Sequence, residues 1–164
     1  MTEMEIAISL RDSAWSTALP DAAAVARRAA AAALEAAPAL PEDVELAVVL
    51  ADDSFVRSLN RDWRGQDRAT DVLSFPMHER PGDAPRQADA PLMLGDVVLA
   101  RETVQRDSAS AGVGLAQQLS HLVVHGVLHL LGHDHDEPDA ERRMRALESR
   151  TLLGLGLCDP YATL

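Results

Sequence analysis

The chain has 164 residues and a mass of 17.6 kDa, enough for one domain with a hydrophobic core. Its 47% apolar and 25% charged residues exclude intrinsic disorder, and the single cysteine, Cys158, excludes an intramolecular disulfide scaffold and a Cys-rich metal site. The charge is one-sided: 26 acids stand against 15 bases, all of them arginine, for a net of −11, which argues against DNA and against broad, non-specific RNA binding.

The opening residues Met1-Thr2-Glu3-Met4-Glu5 are acidic where a signal peptide is basic. The Ala-rich run from Ala22 to Ala37 is interrupted by Arg27, Arg28 and Glu35, so it reads as a helix of a soluble protein and not as a membrane span. The expected location is the cytoplasm, with no membrane partner.

In chain order, Glu5–Ser9 alternates like a strand. Asp21 is placed to cap a helix that ends before Pro38. Val44–Leu50 is apolar and β-branched, a second strand. Asp52 or Asp53 then caps a helix running to about Trp63, and Asp71–Phe75 is a short strand stopped by Pro76. The proline-rich and charged segment Met77–Met93 reads as a loop, and Gly95–Ala100 as the fourth strand. A short helix follows from Arg101, a long one spans Gly114–Leu131, and a charged one spans Pro138–Leu152. Two strands are adjacent without a helix and no glycine-rich loop follows a strand, which excludes a doubly wound nucleotide fold. The expected architecture is a single α+β domain over residues 1–164, with a four-stranded mixed sheet covered by helices.

Five of the six histidines fall within fifteen residues: His121, His125, His129, His133 and His135. From Leu122 to Leu131 every residue except His125, Gly126 and His129 is strongly apolar, the pattern of a buried helix. His125 and His129 are four apart and share a face. Left unpaired there, each imidazole costs about 1–3 kcal/mol, and a shared metal ion satisfies both. Gly132 supplies a stop through its left-handed conformation, after which His135 can return to the same point. The spacing His-x3-His-x5-His, with no fourth ligand in the motif, matches an open catalytic zinc site better than a closed structural one. Three imidazoles also suit nickel, copper or iron. His121 reads as core or as a support for a ligand, His133 as exposed, and Asp134 as a carboxylate that could hold a ligand imidazole. The alternative is that these histidines are core residues bonded to backbone carbonyls.

The spacing also matches the histidines and glycine of the metzincin proteases. In those, a glutamate follows the first histidine and acts as general base, whereas here the residue is Gly126. The metal ligands persist without the protease's base.

The segment Arg57–Arg68 is positive against the acidic average. Arg57, Arg61, Arg64 and Arg68 lie on one side if the helix continues, and planar guanidinium groups grip phosphate at two points. Asn60-Arg61-Asp62-Trp63-Arg64-Gly65 leads into Ala69-Thr70-Asp71-Val72-Leu73-Ser74-Phe75-Pro76, followed by Leu94-Gly95-Asp96 and the segment His125–His135. Together these resemble the YbeY family of bacterial rRNA-maturation endoribonucleases, from about Val44 through the helix after His135. Ala69 stands where that family often has proline, and His133 where an aromatic is common.

The resemblance implies a single α+β domain with one metal ion, usually zinc, on His125, His129 and His135, and a functional, catalytic arginine at Arg64. It implies single-strand-specific endoribonuclease activity in maturation of the small-subunit rRNA 3′ end and in ribosome quality control. The implied partners are the rRNA precursor and the small ribosomal subunit, with ribosomal protein S11 and the GTPase Era. Metal-assisted phosphodiester cleavage is the expected chemistry, with no general base assigned by the sequence. Two alternatives stand beside it: a metal-dependent ribosome-assembly binding factor, and a metalloprotease-like hydrolase.

Overall fold

The computed structural model describes residues 3–36, 43–79, 81 and 90–162. Strand β1 (Glu3–Leu10) is followed by a five-residue helix α1 (Ala14–Ala18) and by α2 (Ala22–Glu35). Then come β2 (Asp43–Ala51), α3 (Asp53–Arg64), β3 (Val72–Pro76), β4 (Leu92–Ala100), α4 (Arg101–Ala111), α5 (Leu115–Leu130) and α6 (Pro138–Gly154). The sheet order is β1-β2-β4-β3, with β1, β2 and β4 parallel and β3 antiparallel to β4. The chain is therefore α+β with a mixed four-stranded sheet, as its element pattern predicts.

The parallel strands need crossovers, and the helices between them supply a cover. Helices α2 and α5 pack together on one sheet face and bury the main core, which includes Trp15, Leu50, Leu99, Val123 and Leu128. A smaller cluster of Val56, Leu73 and Val98 lies under α3 on the other face. The Ala-rich α2 turns Ala26, Ala29, Ala30 and Ala33 inward, all fully buried, which lets it sit close to α5.

Several boundaries differ from the sequence expectation. Helix α1 is absent from it; five residues carry little periodic signal, and α1 is anchored by the buried Trp15, whose indole N–H donates to the Ala51 carbonyl at 2.8 Å. Asp21 makes no side-chain cap bond, whereas Asp52 accepts from the Phe55 N–H at 2.8 Å. Asp53 turns away to accept from Thr103 at the start of α4. Strand β4 begins at Leu92, three residues before the expected Gly95, because the ladder to β2 continues through an irregularity opposite Glu45 and Leu46. Gly95 has φ +136°, and a Cβ there would collide with the carbonyl of Phe75 on the neighbouring β3, so this position in β4, just past the irregularity with β2, needs glycine. In the expected loop Met77–Met93, residues 80 and 82–89 lie outside the described residues, as does Pro38, before which α2 is expected to end. No helix among the described residues is long and apolar enough to cross a membrane.

Candidate metal centre

Helix α5 carries the first two histidines. It is pressed on the sheet at Gly126, where a Cβ would stand 2.6 Å from Val97 Cγ1 and 3.1 Å from Ser74 Oγ. Ser74 donates to the Gly126 carbonyl at 3.0 Å, which fixes the helix on β3. At the position where a metzincin carries its glutamate, the chain thus has a glycine packed so closely on Val97 and Ser74 that any side chain would force them to shift, and the protease's base is absent. Gly132 has φ +95°, and the His133 N–H reaches back to the Leu128 carbonyl at 3.0 Å. This is the left-handed helix stop expected from the sequence. It reverses the chain and returns His135 to the helix.

One ring nitrogen from each of His125, His129 and His135 lies within 4.8 Å of the others. His125 and His129 face each other through their Nε2 atoms at 3.1 Å. Four ligands about a zinc ion at roughly 2.0–2.1 Å stand about 3.3 Å apart, so the pair is already at coordinating separation. His125 Nδ1 is 2.5 Å from Glu148 Oε1. That contact fixes the tautomer: Nδ1 carries the proton and donates, leaving the Nε2 lone pair toward His129. Burial and the neighbouring His125 and His135 push the His129 pKa down to about 4, so His129 is neutral at physiological pH and free to ligate. These residues fit a metal ion of the imidazole-binding class.

The support for His125 comes from Glu148 and not from Asp134. Asp134 is exposed; it accepts from the backbone N–H of His135 at 2.7 Å and shares a hydrogen bond with Asp136. Glu148, on α6, is 1% exposed. Its Oε2 accepts from His121 at 3.1 Å and from the Tyr161 hydroxyl. Burial pushes the Glu148 carboxyl up, but hydrogen bonds from His121, His125 and Tyr161 outweigh it and hold the pKa at about 2. The Tyr161 pKa is raised by burial and by the Glu148 carboxylate, so its hydroxyl stays a donor. His121 is therefore a support, one of the two roles the sequence left open. His133 is half-buried and not exposed, and burial lowers its pKa. The signal for Glu148 is present in the sequence: with Met144, Thr151 and Leu152 it completes the buried face of an otherwise charged helix.

The three histidines open on a cleft of about 1030 Å³ whose lining also includes Trp63, Arg64, Thr70, Asp71 and His133. Arg64 closes α3, which stops at the left-handed Gly65 (φ +70°). Asn60, 2% exposed, donates to the Arg68 carbonyl at 3.0 Å and ties down the chain after the helix. Arg68 thus lies beyond the helix, and the four arginines do not form one stripe. Arg57 pairs with Asp67 at 2.8 Å and Arg61 with Asp62 at 3.1 Å. Arg64 has no acidic partner among the described residues.

The fold and the cleft together define an α+β protein with a candidate metal centre: three clustered histidines open on a cleft that Arg64 also lines. Within that class the chain belongs to the endoribonuclease YbeY family, whose profile matches residues 8–156. It is 51% identical over 158 residues to Endoribonuclease YbeY of Paramagnetospirillum magneticum, covering 96% of each chain. Identity to Endoribonuclease YbeY of Azorhizobium caulinodans is 47% over 160 residues, covering 97% of each. The fold is shared with the solution structure of TM1509 from Thermotoga maritima, at 22% identity and a TM-score of 0.53, over 96% of this chain and 99% of that one.

Proposed function

We propose that residues 1–164 form one metal-dependent endoribonuclease domain that cuts single-stranded RNA. Family membership supports the reaction class. The observation that carries the site is the convergence of His125, His129 and His135 within 4.8 Å at a cleft whose rim holds Arg64. The ligands are His125, His129 and His135, and the ion is zinc, with nickel also suited to three imidazoles. When bound, such an ion supplies Lewis acidity toward a phosphoryl oxygen.

The chain's own groups do the rest. Arg64, exposed and unpaired, grips the scissile phosphate at two points and offsets the charge that builds there. Glu148 holds His125 in one tautomer, and His121 and Tyr161 hold Glu148. With Arg57 and Arg61 committed to Asp67 and Asp62, Arg64 is the arginine that lines the cleft among the described residues. The net charge of −11 disfavours DNA and long, non-specific RNA contacts, so a short RNA segment would be held by the ion and Arg64 in a lining that also carries Asp71, Glu79, Asp134 and Asp136.

The biological assignment is maturation of the small-subunit rRNA 3′ end and ribosome quality control, in the cytoplasm. The rRNA precursor and small subunit are the partners, with ribosomal protein S11 and the GTPase Era. The family resemblance supports this part. Arg64→Ala tests the chemistry: cleavage of a single-stranded RNA falls about 100-fold or more while metal content is retained. A variant that cuts at the wild-type rate removes Arg64 from the mechanism. His129→Ala separates enzyme from assembly factor, since lost cleavage in a folded chain supports the enzyme, and unchanged rRNA processing in cells carrying only this variant contradicts it.

A further inference from the structure

The chain has two tryptophans with opposite fates. Trp15 is fully buried with its indole N–H bonded to Ala51. Trp63 is 74% exposed, the most exposed large apolar side chain among the described residues, and its N–H has no partner there. It sits one residue before Arg64, in the last turn of α3, and lines the same cleft as the three histidines. That turn is rigidly held: Gly65 stops the helix, Asn60 clamps the Arg68 carbonyl, and Arg57 pairs with Asp67 across the loop. The backbone that carries Trp63 is therefore held beside the cleft, next to Arg64, while the indole itself is left to solvent. An exposed, positioned aromatic at a binding cleft is a surface awaiting a flat partner.

On the reading of the cleft as an RNA site, we infer that Trp63 is a base-stacking platform. It takes the nucleobase next to the phosphate gripped by Arg64, and so makes the site selective for unpaired RNA. Every base has a π-face, so stacking is tolerant of sequence. In a duplex both faces of each base are covered by neighbours, so a paired strand cannot offer one to Trp63 without unstacking. Arg64 reads the backbone and Trp63 reads the absence of pairing. The platform acts in binding and not in bond breaking, so its loss falls on KM and leaves kcat near the wild-type value.

The test uses the full metal-loaded chain and short single-stranded oligoribonucleotides, mixed in a stopped-flow instrument before turnover. Trp15 is buried, so a ligand-dependent change in tryptophan emission reports Trp63. The expected results are quenching on mixing with single strands and none with the matching duplex. Trp63→Ala raises the Kd and KM about 5- to 150-fold with kcat little changed. Trp63→Phe keeps most of the binding. An oligonucleotide with one abasic position at the stacked nucleotide binds wild type and Trp63→Ala alike. Because Trp63 is exposed, both variants keep the wild-type melting temperature. Wild-type binding of single strands by Trp63→Ala, equal losses in Trp63→Ala and Trp63→Phe, or equal quenching by the duplex each overturn the inference. If the wild type neither binds nor cuts single-stranded RNA, the proposed function fails with it, whereas a Trp63-insensitive RNase loses only the platform.

Discussion

Glu148→Gln probes how the metal centre is held. The carboxylate is 1% exposed, touches His125 Nδ1 at 2.5 Å and His121 Nε2 at 3.1 Å, and accepts from the Tyr161 hydroxyl. Glutamine keeps the shape but removes the charge and replaces one acceptor oxygen by a donor. Whichever way the amide turns, an N–H then faces a group that now donates. Charge-assisted hydrogen bonds contribute about 1.5–3 kcal/mol against about 1 for neutral ones. His121 and His125 keep some access to water and can switch tautomer. The metal-free variant should therefore be about 1–2 kcal/mol less stable than the metal-free wild type. The larger signature is in the ion. Loss of the partner that orients a ligand histidine weakens metal affinity about 10- to 100-fold, or about 1.4–2.7 kcal/mol. With metal in excess, that amount is subtracted from the stabilisation the ion gives the folded state. Denaturant unfolding with and without metal, together with competition against a chromophoric chelator, separates the two effects. A Glu148→Gln chain that binds metal as tightly as wild type would refute the idea that Glu148 orients His125.

Other expectations follow from packing and charge. Gly126→Ala forces a methyl to within 2.6 Å of Val97 Cγ1, so overpacking should destabilise the chain by about 1–3 kcal/mol in thermal unfolding and lift α5 from the sheet; wild-type stability would show that the contact relaxes freely. Asp12 accepts from Arg101 Nε at 2.6 Å and from the Ala14 N–H, and the Arg101 bond holds its pKa below the usual value of 3.8. Its contribution, about 1 kcal/mol for a pair with some solvent access, is present above pH 3.8 and lost as pH falls through the lowered pKa. The stability gap between wild type and Asp12→Asn should thus be constant near neutrality and close in acid, and a gap that widens in acid would contradict the assignment. Arg57→Ala and Arg61→Ala, which remove arginines already paired to acids, should lower RNA cleavage by no more than a few fold, in contrast to Arg64→Ala; equal losses at all three would argue for a diffuse positive surface.

The histidine cluster was more legible in the sequence than the fold's details. Histidines four apart on an apolar helix, a glycine able to take a left-handed stop, and a third histidine just beyond it are local information, and local geometry is enough to gather them. The strand pattern likewise pointed to a mixed sheet, and the strand reached without an intervening helix, β4, is the one that pairs antiparallel with its predecessor β3. What stayed hidden depends on distant pairing. Asp134 is next to His135 in sequence, yet the group that holds His125 is Glu148, 23 residues away on another helix. The arginine spacing described a continuous helix, but Gly65 ends it and Asp67 and Asp62 take two of the four charges. Trp63 carried no periodic signal either, since a side chain outside the core leaves no trace in an apolar pattern.

Elemental analysis of the purified chain, read beside its cleavage of single-stranded RNA, bears most directly on the central claim. One transition-metal ion per chain is expected, with metal and cleavage lost together in His125→Ala, His129→Ala and His135→Ala while Arg64→Ala keeps the ion and loses the cleavage. A wild-type chain that cuts RNA with no metal bound, or histidine variants that keep both ion and activity, would contradict it.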